Sequence, residues 1–85
     1  MEWTIIYHPK AQKDLDKLDD AIAKEVILRM DEIVLDPYKL LEPMTNCRYY
    51  KFRVRDYRGI VDIVNNKLIL HVVKVRHRRK VYKGL

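Results

Sequence analysis

Eighty-five residues suffice for one compact domain, read here as residues 1–85, and are too few for two. Apolar residues make up 48% of the chain, yet no run of them approaches the roughly 20 needed to span a membrane. The single cysteine, Cys47, excludes an internal disulfide and a Cys-rich zinc site. The formal net charge of +6 is segregated: residues 1–47 carry six Lys/Arg against ten Asp/Glu, and residues 48–85 carry twelve against two. A basic half of this kind is the footprint expected for a nucleic-acid backbone or an acidic protein partner. The opening Met1-Glu2-Trp3-Thr4 has no basic leader followed by an apolar stretch, so the expected compartment is the cytoplasm.

Residues 2–7 are β-branched and aromatic and stop at His8-Pro9, which predicts a first strand with Trp3, Ile5 and Tyr7 on one face. Pro9 suits the first turn of a helix, and Ala11, Leu15 and Leu18 continue it at helical spacing. After Asp19-Asp20 a second helix runs to about Leu35. Its apolar stripe is Ile22, Val26, Met30 and Ile33, widened by Ala23, Ile27 and Val34, and Asp36-Pro37 ends it. Residues 36–47 read as a connecting loop in which Leu40 and Leu41 dock on the core.

From Arg48 the period becomes two. Tyr50, Phe52 and Val54 alternate with Tyr49, Lys51, Arg53 and Arg55, the pattern of a strand with one packed and one cationic face. Ile60 to Val64 forms a further strand, and Asn65-Asn66 predicts a hairpin turn into Leu68 to Val75. The order strand, helix, helix, strand, strand, strand predicts an α+β fold. In it an N-terminal strand and a three-stranded antiparallel meander form a sheet, with a helical hairpin packed on one face.

Three neighbouring strands of such a meander bring Lys51, Arg53, Tyr57, Arg58 and Lys74 together with the run Arg76-His77-Arg78-Arg79-Lys80-Val81-Tyr82. RNA cleavage without a metal needs a base for the 2′-hydroxyl, cations for the phosphorane and a group to assist the leaving 5′-oxygen. Crowded lysines and arginines supply these parts, because repulsion among close cations favours a neutral lysine. The same face would equally serve as a binding surface without chemistry. His77 reads either as a general acid or base or as an anchor for the tail. His8 and His71 read as structural, and the three histidines are too scattered for a metal site.

The run Tyr50-Lys51-Phe52-Arg53-Val54-Arg55-Asp56-Tyr57-Arg58-Gly59-Ile60-Val61 resembles the stretch of RelE/ParE toxins in which alternate basic positions precede a Tyr-Arg pair. Val75-Arg76-His77-Arg78-Arg79-Lys80-Val81-Tyr82 is similar to their closing V-G-H-R-x-x-V-Y, with Arg76 in place of the usual glycine. The resemblance implies a toxin of a type II toxin-antitoxin system. In its RelE-like form this is a ribosome-dependent, cofactor-free endoribonuclease that cleaves mRNA in the A site by 2′-hydroxyl attack. The catalytic positions it implies are Lys51 as base, Arg53, Arg58 for transition-state charge, Arg78 near the leaving group, and Tyr82. RNA-binding positions are Tyr49, Arg55, Lys74, Arg76, His77, Arg79 and Lys80. Arg53 stands where many RelE proteins have a second lysine, and it holds a phosphate without serving readily as a base. The implied partners are the ribosome and its mRNA, and an acidic RelB-like antitoxin. A ParE-like inhibitor of DNA gyrase and a non-catalytic RNA- or ribosome-binding module are the alternatives.

Overall fold

Among the described residues the helices all precede residue 48, where the apolar period becomes two, and the long strands of the sheet follow it. The structure, a computed structural model, describes residues 3–75. In chain order it contains β1 (Thr4–Tyr7), α1 (Pro9–Asp16), α2 (Asp20–Ile33), the one-turn α3 (Pro37–Leu40), β2 (Glu42–Pro43), β3 (Tyr50–Val54), β4 (Tyr57–Val64) and β5 (Lys67–Val75). Among the described residues no helix is long and apolar enough to cross a membrane.

His8 caps α1, its Nδ1 accepting from the Lys10 amide at 3.2 Å, and Pro9 takes the first turn, where its missing N–H costs nothing. Ala11 and Leu15 of α1 and Val26, Met30 and Ile33 of α2 are buried against the sheet. The α2 stripe is narrower than its sequence suggests, because Ile27 is 41% exposed.

Among the described residues the sheet has five strands in the order β1-β5-β4-β3-β2. It is mixed, since β1 runs parallel to β5 while the other neighbours are antiparallel. The predicted connecting loop at 36–47 holds structure of its own, and this corrects its reading as a plain connection. Pro37 opens α3, and Glu42 and Pro43 then pair with Lys51 and Tyr50 as an edge strand. Proline is tolerated there because one side of an edge strand needs no amide donor. Leu41 is buried as expected, whereas Leu40 is 46% exposed.

Two turns set the registers. Asn65 and Asn66 take positive φ of 47° and 65°, as the two-residue β4–β5 hairpin requires. Val54 faces Tyr57 across the β3–β4 turn, also of two residues, where Arg55 takes φ 53°.

One irregularity governs which residues face out. Ile60 pairs with Val72 but Val61 pairs with Leu70, so His71 is an extra residue in β5, a β-bulge. It shifts the strand's alternation by one position. Leu68, Leu70 and Val73 are therefore all buried in the core with Phe52, Val54 and Val61, while Lys74 joins the other face. Where β1 ends beside β5, Asp14 of α1 takes over, its Oδ2 accepting from the Val73 amide at 3.1 Å.

Candidate nucleic-acid interface

The helices cover one face of the sheet, and the basic residues of β3, β4 and β5 lie on the other. Pairing sets Arg53 opposite Arg58 and Arg58 opposite Lys74, so three cations stand side by side across three strands. Lys51 follows two residues along β3, in the row completed by Ile60 and Val72. Its Nζ lies 3.8 Å from the Glu42 carboxylate on β2.

A cleft of about 330 Å³ opens at this edge, lined by Arg29, Leu40, Glu42, Lys51, Phe52, Arg53 and Arg58. The short β2 creates it. Pairing stops at Glu42–Lys51, leaving the rest of β3 open toward Arg29 of α2 and Leu40 of α3. Three of these residues escape a reading of strand alternation, namely Arg29, Leu40 and Glu42. Only the Glu42-Pro43 pair offers a sequence signal, and a lone loop carboxylate has no period to mark it.

The structure thus brings Lys51, Arg53, Arg58 and Lys74 together. Tyr49 precedes β3, two residues before Lys51, with the Arg48 guanidinium over its ring at 5.4 Å from the centroid. Arg55 is placed differently. Its positive φ turns the chain, and its guanidinium grips both carboxylate oxygens of Glu25 on α2, at 2.6, 2.9 and 3.0 Å. That charge-assisted pair holds the Arg55 pKa above its usual value. Arg55 therefore ties the β3–β4 turn to α2. Arg76, His77, Arg78, Arg79, Lys80 and Tyr82 lie outside the described residues.

A helical hairpin on one face of a mixed five-stranded sheet, with a row of cations on the other, defines the class of RelE-like toxin folds. The chain is similar to a double mutant of the E. coli toxin RelE in the free state, at 18% identity and a TM-score of 0.79, covering 98% of this chain and 93% of that one. It is similar to the toxin-antitoxin complex RelBE2 from Mycobacterium tuberculosis at 20% identity and a TM-score of 0.81, covering 89% and 100%. The archaeal RelE-RelB complex from Pyrococcus horikoshii OT3 matches at 22% identity and a TM-score of 0.74, covering 92% and 99%. No curated protein matches the sequence. Residues 5–82 match the family described as ParE toxin of type II toxin-antitoxin system, parDE, and the chain belongs to that family.

Proposed function

We propose that this toxin is a ribosome-dependent endoribonuclease that cleaves mRNA in the A site. The observation that carries the reading is the cross-strand row Arg53, Arg58, Lys74 beside Lys51. Cations ranged across three strands on a helix-free sheet face form a positive stripe that suits the phosphate backbone of a nucleic acid. In the reaction a base takes the 2′-hydroxyl proton, the 2′-oxygen bonds to phosphorus, the bond from phosphorus to the 5′-oxygen breaks, and that oxygen receives a proton. The products are a 2′,3′-cyclic phosphate and a free 5′-hydroxyl. Arg53 and Arg58 hold the phosphorane oxygens, and bidentate guanidinium geometry suits them to it. Lys51 and Glu42 are the proton acceptors at the cleft, and Arg78 and Tyr82 are proposed to serve the leaving group.

The partner that silences the toxin is proposed to be an acidic antitoxin of the RelB kind, as in the complexes from M. tuberculosis and P. horikoshii. Exposed Ile27 and Leu28 on α2 and Leu35 after it supply apolar surface for such a partner, and the basic half of the chain attracts it.

Primer extension on an mRNA held in ribosomes with an empty A site tests the activity. Cuts within the A-site codon that vanish without ribosomes are expected, and intact mRNA in the presence of folded protein overturns the reading. A second reading, inhibition of DNA gyrase, is favoured by the match to the ParE toxin family. Loss of supercoiling by purified gyrase, with mRNA left intact, would establish it instead.

A further inference from the structure

Farther along the cationic face, past the row of Lys51, lies a carboxylate that the proposed chemistry does not use. Strand alternation turns Asp62 of β4 away from the core, yet its side chain is only 5% exposed. A buried carboxylate requires a partner, and Arg48 provides it, Nη2 donating to Oδ2 at 2.7 Å. The His71 Nε2 lies 4.0 Å from the same oxygen. His71 in turn stacks on His8, with centroids 5.0 Å apart, and meets the Tyr49 ring edge-on at 5.7 Å.

Arg48 itself is 71% exposed, so this is no closed ion pair. It is an outward-facing guanidinium held by a buried anion and lying over the face of an aromatic ring. An exposed arginine ordinarily loses rotamer freedom when it binds, and here that freedom is already restricted. The Nη2 atom carries two protons and Asp62 takes one. Whichever it takes, a two-donor edge remains, formed by Nη2 with either Nε or Nη1.

Two parallel donors beside an aromatic face fit the edge of a guanine, which presents two acceptors, O6 and N7. Adenine offers one acceptor and one donor there, and uracil has no such pair. A phosphate would also accept both donors, but phosphate contacts are already provided by Arg53, Arg58 and Lys74. A flat ring such as Tyr49 adds nothing to a phosphate and stacks well on a base. We infer that Arg48, held by Asp62 and flanked by Tyr49, forms a subsite that reads an unpaired guanine in the RNA strand lying on the cationic face. The inference rests on the proposal that this face takes RNA.

Fluorescence anisotropy of the full chain with labelled short oligouridine RNAs, carrying one central guanosine, one adenosine or neither, tests it. The guanosine strand should bind about tenfold more tightly than the other two, within the range a bidentate arginine contact provides. Arg48→Lys keeps a cation on Asp62 but lacks the fork. It should bring the three affinities together, with the circular dichroism spectrum unchanged. Tyr49→Ala should lose most of the same preference, whereas Lys74→Gln should weaken all three strands alike. Equal affinities in the unsubstituted protein overturn the subsite, as does a preference that survives Arg48→Lys. A uniform loss on Arg48→Lys also overturns it and assigns Arg48 to phosphate. Primer extension in parallel separates the two claims: guanosine preference without A-site cleavage overturns the nuclease and keeps the subsite, and cleavage without preference does the reverse.

Discussion

Phe52 lays its ring across Gly59, its cross-strand partner on β4, so closely that a Cβ at Gly59 would overlap the ring. Both residues are buried in the core, and the pair sits between the row of Lys51 and the row of Arg53. Gly59→Ala forces Phe52 from its place at a cost of about 1–3 kcal/mol, typical of overpacking. Urea denaturation should show the loss, and Gly59→Ala combined with Phe52→Leu should recover part of it. An unchanged midpoint for the single variant would refute the packing account.

The row of cations across β3, β4 and β5 should matter more for binding than for folding. Lys74→Gln should leave folding stability within about 0.5 kcal/mol, as is usual for a surface substitution. The same change should weaken RNA binding and flatten its salt dependence by about one ion released. Thermal unfolding and a salt titration on one preparation check both. A variant that is less stable and binds equally well would show that the row has no such role.

Substitution separates Glu42 and Lys51, the two groups proposed above as proton acceptors. If the carboxylate is the base, Glu42→Gln lowers single-turnover cleavage by about 100-fold or more, and Lys51→Met acts mainly through phosphate binding. If the lysine is the base, Lys51→Met gives the larger loss in the chemical step. Rates at saturating toxin distinguish the cases, because a binding defect is overcome there and a chemical one is not.

At high pH the fold should weaken through Tyr7. Burial, and then the nearby Asp31 carboxylate, raise its phenol pKa above the ordinary 10.0. The unfolded chain therefore loses that proton first. The contribution to stability is intact below about pH 10 and falls as pH rises toward the raised folded value. Urea midpoints measured from about pH 9 to about pH 11 should decline, and Tyr7→Phe should make the decline shallower.

Much of this architecture was legible before any coordinates. Pro9, Asp36-Pro37 and Asn65-Asn66 act through local backbone restriction, so the elements they bound lie close to where the residue pattern puts them. Lys51 and Arg53 were legible through alternation, whereas the register that sets Arg58 opposite Arg53 was not, because the sequence signals the turn only weakly and the apolar run resumes only at Ile60, while β4 begins at Tyr57. What escaped has a common cause. The edge strand at Glu42 and Pro43 is too short to show a period, and it exists only because β3 offers a free side. Arg55 continues the alternation in sequence, but its φ of 53° takes it out of the strand and over to Glu25. Ile27 looks like core on a helical wheel, and the narrow contact of α2 with the sheet leaves it outside.

His71 carries a consequence for how this chain tolerates insertions and deletions. Because it is the extra residue of the bulge, removing it would be taken up in one of two ways. If the strand after it slid by one position, Val73 would swing outward and Lys74 inward. If instead the bulge closed, the register would survive, the packed and cationic faces would both remain, and Asp62 would lose the ring beside it. In the second case related chains one residue shorter at this point would keep the cationic row intact without the imidazole that stands against Asp62.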